Sequence, residues 1–176
     1  SPPAATRTIT ISPSAPGRSI EINGLWIGLL LSGVAPQPDL AELVFTGQWE
    51  RILLRDVTLD PGGERAALSG NPPTLIPHVR LIIEGVVDEL VIERSIVGSV
   101  AERGLGGGAP CIAASISISD SIVQSYADEP ALSVSSAAVE LDRVTMIGDC
   151  RCGRADISQS IIDGEVLVED AQGSCF

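Results

Sequence analysis

The chain has 176 residues, 44% of them hydrophobic, enough for one domain with a sizeable core. It holds only two Trp, two Phe and one Tyr, so its interior must be built from stacked Ile, Val, Leu and Ala. Against 23 acidic residues stand 11 basic ones, all Arg, and the resulting net charge of −12 argues against nucleic acid and against an anionic membrane surface as partners.

The amino-terminal stretch SPPAATRT is polar and lacks the apolar segment of a signal peptide. The longest apolar run, LWIGLLL from Leu25 to Leu31, falls well short of the roughly 18 residues of a membrane span. Because the chain starts without Met and stops inside patterned sequence at VLVEDAQGSCF, residues 1–176 read as a single domain cut from a longer chain.

From Ile20 onward a pattern recurs when each copy is set on one aliphatic anchor, in turn Ile22, Leu54, Ile92, Ile118, Leu141 and Ile157. Two residues earlier stand Ile20, Ile52, Leu90, Ile116, Val139 and Ala155, and five residues later Ile27, Leu59, Val97, Val123, Met146 and Ile162. Period-2 alternation puts an anchor and its predecessor on one strand face, and the jump of five implies a bend followed by a second strand that points inward again. LVFTG at Leu43 to Gly47 and LIIEG at Leu81 to Gly85 form a third strand before two of the anchors, with ALSVS, CRCGR and VLVED as later equivalents. The anchors are 32, 38, 26, 23 and 16 residues apart, which predicts stacked strands joined by turns of variable length. Helices fit poorly because β-branched residues are dense and 18 Gly and 12 Pro punctuate the chain. A β-sandwich is the competing fold, but hairpin signals between the strands are nearly absent; Asn23-Gly24 falls at a bend inside a unit.

These repeats resemble the right-handed parallel β-helix class. The stretch VELDRVTMIGDCRCGRADISQSIIDGEVLVEDAQGSCF, Val139 to Phe176, is similar to a repeat domain found in large bacterial proteins of unknown function, and the likeness extends back to Val79. The resemblance implies an all-β solenoid of about five to six coils and no reaction, since the chain lacks the catalytic strand motif of the pectin-degrading members of the class.

Two residues after each anchor the column reads Gly24, Asp56, Arg94, Asp120, Arg143 and Gln159, so Asp56, Arg94, Asp120 and Arg143 are expected to form a surface charge ladder at strand spacing. Asp56 and Asp120 as a glycosidase carboxylate pair is the weaker alternative, with Arg94 between them. Ser95, Ser121 and Ser160 share the next column and are expected to hydrogen-bond the turn. Cys111, Val134, Cys150 and Val166 are expected to share one inward column, so Cys111, Cys150, Cys152 and Cys175 read as unlinked and metal-free thiols rather than a zinc set, with a disulfide involving Cys175 as the alternative. Four such thiols fit a reducing, cytoplasmic compartment. RGLGGGAP at Arg103 to Pro110 lacks the Lys-Ser/Thr of a phosphate loop, and the single His78, with no second His and no nucleophile elbow in the sequence, cannot anchor a familiar triad. No motif calls for a cofactor, and no residue is assigned to catalysis or to a metal.

The functional expectation is a structural module that associates with itself, most simply as a homodimer, or with other domains of its parent chain. A stacked fold leaves apolar rungs and open backbone at its ends. The contact is expected at the first unit, Ile20, Ile22, Trp26 and Ile27, or at the last, Val166, Leu167 and Val168. Trp26 stands in a column where other units carry Thr or Ile. The competing expectation is a polysaccharide-binding or polysaccharide-degrading β-helix, with Trp49 stacking on a sugar ring.

Overall fold

A computed structural model describes residues 6–28, 40–65, 74–104, 112–126 and 129–169. The described residues are all β, with no helix among them, and the strands are mostly parallel. In chain order they are β1 (Arg7–Ile11), β2 (Arg18–Asn23), β3 (Trp26–Ile27), β4 (Leu40–Arg55), β5 (Thr58–Leu59), β6 (Gly63–Arg65), β7 (Thr74–Ile76), β8 (His78–Glu93) and β9 (Ile96–Val97). They continue with β10 (Val100–Glu102), β11 (Ile112–Ser119), β12 (Ile122–Gln124), β13 (Leu132–Asp142), β14 (Thr145–Ile147), β15 (Cys150–Ser158), β16 (Ile161–Asp163) and β17 (Val166–Val168).

The anchors stand side by side. Ile22 pairs with Leu54, Leu54 with Ile92, Ile92 with Ile118, Ile118 with Leu141 and Leu141 with Ile157, all in parallel register. Their predecessors, Ile20 through Ala155, pair in the same order. After the bend, a second parallel sheet of β3, β5, β9, β12, β14 and β16 aligns Ile27 with Leu59, and Val97 with Val123, Met146 and Ile162. This parallel pairing leaves no place for an antiparallel sandwich. The one antiparallel pair among the described residues, β6 with β7, is an insertion between β5 and β8 that the strand pattern did not anticipate.

The strands of the first sheet bend along their length. In β4 the inward residues are Leu43, Phe45 and Trp49, then Ile52 and Leu54, so inward parity changes between Trp49 and Ile52 and the chain turns onto a new face. β8 does the same between Val87 and Leu90. Trp49 therefore lies in the core, 3% exposed, edge-on to Phe45 with ring centroids 6.0 Å apart, and its Nε1 donates to the Thr46 carbonyl at 3.0 Å. It offers no platform for a sugar ring.

β8 and β13 are joined twice, by β10 over their first halves and by β11 over their second, so these four parallel strands close a ring of pairings. The reason is local: β10 ends at Glu102 and β11 starts at Ile112. Between the two, the Glu102 carboxylate accepts the N–H of Ala113 at 3.0 Å and of Ser135 at 3.3 Å, supplying acceptors where the backbone of the pass is interrupted. Burial raises its pKa against those two bonds.

The core is aliphatic, as the composition requires. Ile52, Leu54, Leu90, Ile92, Ile118 and Leu141 are each fully buried. Removing a side chain of this size from water is worth about 1.5–3 kcal/mol.

Candidate functional site

Three features bear on function: the bend columns, the buried thiols and the two ends of the strand stack. At the bend, Asp56, Arg94, Asp120, Arg143 and Gln159 all adopt left-handed backbone, with φ between 47° and 55°, and Gly24 does so at 68°. Left-handed backbone turns each strand sharply and throws the side chain outward, where neighbours in the column meet. Arg94 donates from Nε and Nη2 to Asp56 at 2.9 and 2.8 Å, and Arg143 does the same to Asp120 at 2.6 and 2.9 Å. The ladder is thus two bidentate pairs. The facing guanidinium holds each carboxyl below the usual carboxylate range, and the carboxylates raise both arginines. Carboxyls stabilised in their charged form are poor proton donors, so Asp56 and Asp120 lack the raised acid that a glycosidase pair needs.

One residue on, the serines do what the turn requires. Ser95 Oγ donates to the Glu93 carbonyl at 2.7 Å and accepts the Val57 N–H at 3.0 Å. Ser121 Oγ bonds the Ser119 carbonyl and the Ser95 N–H, and Ser160 Oγ bonds the Ser158 carbonyl and the Val144 N–H. Each hydroxyl fastens its own bend and supplies an acceptor for the preceding one.

Cys150 and Cys152 are free, buried thiols on one inward face. Their column corrects the expected alignment by two residues: Cys150 pairs with Leu132 and Val166, while Val134 pairs with Cys152. Period-2 alternation kept the face and the Val166 neighbour right and only the Val134 neighbour wrong. Cys111 and Cys175 lie outside the described residues. Among the described residues, no group of three or more His, Cys, Asp or Glu is placed to hold a metal ion.

His78 opens β8, buried and stacked on Tyr126 with ring centroids 4.6 Å apart. Nearby, Glu42 is only 5% exposed and accepts both bonds of a bidentate contact from Arg103 Nη1 at 2.9 and 2.8 Å. Arg103 also pairs with Glu84, and Arg80 with Glu129. Sequence reading missed this cluster, because Arg103 belongs to a glycine-rich stretch read only as a loop; the rest of that stretch, 105–110, lies outside the described residues.

At both ends of the stack the inward columns emerge into solvent. Ile9 pairs with fully buried Leu43 yet is 51% exposed, and Ile157 pairs with fully buried Leu141 yet is 40% exposed. Among the residues expected at a contact, Ile20, Ile22 and Ile27 are half-buried, whereas Trp26, Val166, Leu167 and Val168 are exposed. Trp26 heads an outward column that runs through Thr58, Ile96, Ile122, Thr145 and Ile161. On the outer face of the first sheet, Glu89, Ser115, Ser117, Glu140, Arg154 and Asp156 line an open concavity. No helix among the described residues is long and apolar enough to cross a membrane. Family models, curated proteins and solved structures yield no match to this chain.

Proposed function

We propose that the chain is a right-handed parallel β-helix module, without a reaction of its own, that associates with itself through the ends of its stack. The helical reading draws on the parallel register of successive anchors, on the three inward stretches within one pass, and on the strong right-handed preference of parallel crossovers. The ring of β8, β10, β13 and β11 fits it as one coil split into two strands by an insertion.

The observation that carries the functional reading is the change along one inward column from 0% exposure at Leu141 to 40% at Ile157. An apolar rung left half in water, beside backbone groups with no neighbouring strand among the described residues, gains from a second such rung on both counts. A second copy of the chain offers an identical surface, and a two-fold contact closes where head-to-tail stacking would run on. The net charge of −12 opposes long stacks. Amide exchange at high and low protein concentration tests the reading: slower exchange in 7–11 or 154–158 at high concentration is expected. Exchange independent of concentration in both segments would contradict it.

The open concavity favours a second reading, a polysaccharide-binding face. Its carboxylates and serine hydroxyls suit sugar hydroxyls, although the aromatic surface usual for stacking is absent from its lining. Saturable binding to one of a panel of polysaccharides, abolished by Glu140→Ala with Asp156→Ala, would select it over self-association.

A further inference from the structure

Cys150 and Cys152 differ from the rest of the core in how they are covered. On one side lie Leu132 and Val134, both fully buried. On the other, among the described residues, lies β17, three residues long, whose only described partner strand is β15. Val166, over Cys150, is 39% exposed, and Val168, over Cys152, is 46% exposed. Undocking β17 breaks three register pairs and uncovers both thiols while every other strand pairing stays intact. Short, half-exposed edge elements are the ones that open locally, below the cost of global unfolding.

While β17 is docked the thiols are inert. Burial, reinforced by the neighbouring Cys152, pushes Cys150 up to about 12, and burial raises Cys152 as well. Once uncovered, a thiol regains an ordinary pKa and an open path to reagents.

We propose that Cys150 and Cys152 form a modification site for small-molecule disulfides, gated by β17, and that its occupation releases the carboxy-terminal end from self-association. This deepens the reading above by naming a regulation of one of its two ends. In the step, an uncovered thiol gives its proton to water, and the thiolate attacks one sulfur of the disulfide. A new S–S bond forms to the protein as the reagent's own S–S bond breaks, and its other half leaves as a thiolate that takes up a proton. The net change is one protein thiol oxidised to a mixed disulfide and one equivalent of small thiol released. The added group has no room between the fully buried Cys150 and Cys152 and the strand laid over them, so β17 cannot return over it.

The probe is oxidised glutathione, with incorporation followed by intact mass in a Cys111→Ser/Cys175→Ser protein. Slow incorporation is expected, reversed by reductant, and Val168→Arg should accelerate it at least about tenfold. Leu167→Arg, on the outward side of the same strand, should not. Circular dichroism matching the parent keeps the Val168→Arg result from reporting misfolding, and Val166→Asp gives a second disturbance of the cover. The modified protein should sediment as a smaller species than the unmodified one. Incorporation as fast as in urea, or unchanged by both Val166→Asp and Val168→Arg, would overturn the gate, and modified protein that stays assembled would overturn the release. A parent that is monomeric before modification, with the labelling contrast intact, would instead remove the self-association reading and leave the gated site standing.

Discussion

Ser95 Oγ accepts the backbone N–H of Val57 at 3.0 Å while it donates to the Glu93 carbonyl at 2.7 Å, so one buried hydroxyl ties two successive bends together. Both neighbouring positions are sealed: Val57 is 1% exposed and Ser95 3%. Replacing Ser95 by Ala strips the Val57 N–H of this acceptor where water cannot replace it. The expected loss is about 1–3 kcal/mol in urea unfolding. Ser160→Ala, nearer the exposed end, should cost less.

The same column position has different weight along the stack. Ile118→Asp places an uncompensated carboxylate where exposure is 0%, and the domain should not fold at neutral pH. Ile157→Asp changes the same column where the side chain is 40% exposed, and should melt within a few degrees of the parent. Equal effects in thermal unfolding would contradict the register.

The left-handed bends make a graded prediction. A residue with a Cβ costs roughly 1–2 kcal/mol in that conformation, partly offset by the chain entropy that Gly loses on folding. Gln159, at φ 48°, has no ion pair among the described residues, so Gln159→Gly should raise stability by up to about 1 kcal/mol. Arg94→Gly gains the same backbone relief but loses the bidentate bond to Asp56, and should gain less.

Acid should dissolve the ladder in a defined direction. Because Asp56 and Asp120 titrate lower in the folded chain than in the unfolded one, their contribution is complete above about pH 4, the unfolded carboxylate range. It disappears as pH falls through the lower folded values. Asp56→Asn with Asp120→Asn should therefore lower the melting temperature at pH 6, with the difference closing toward pH 2. High salt should narrow it as well.

Close backbone approach fixes the long strands. A Cβ on Gly85 would collide with the backbone carbonyl of Gly47 in the adjacent strand. Gly85→Ala should cost about 3 kcal/mol, at the high end of single substitutions, whereas Gly104→Ala, with open space around it, should be neutral in the same unfolding assay.

What the sequence disclosed was periodic. Aliphatic residues at fixed offsets from Ile22, Leu54 and Ile92 specified the register, because a slip by one would turn a buried row into water. The bend position was legible for the same reason, and the charges of Asp56 and Arg94 followed from it. The competing use of Trp49 as a sugar platform fails because parity counted from Phe45 points it inward. Cys150 was set against Val134 instead of Leu132, since alternation alone cannot distinguish residues two apart. The contacts of Glu42 with Arg103 and of Glu102 with Ala113 depend on insertions between strands, which follow no period.

Self-association through the stack ends is tested most directly by sedimentation of the parent beside Val168→Arg and Ile22→Arg at micromolar concentration. A parent dimer or other small closed assembly, reduced to monomer by one of the two substitutions with circular dichroism unchanged, is the predicted result. A monomeric parent would contradict the account, and an assembly that survives both substitutions would place the contact on a side face instead.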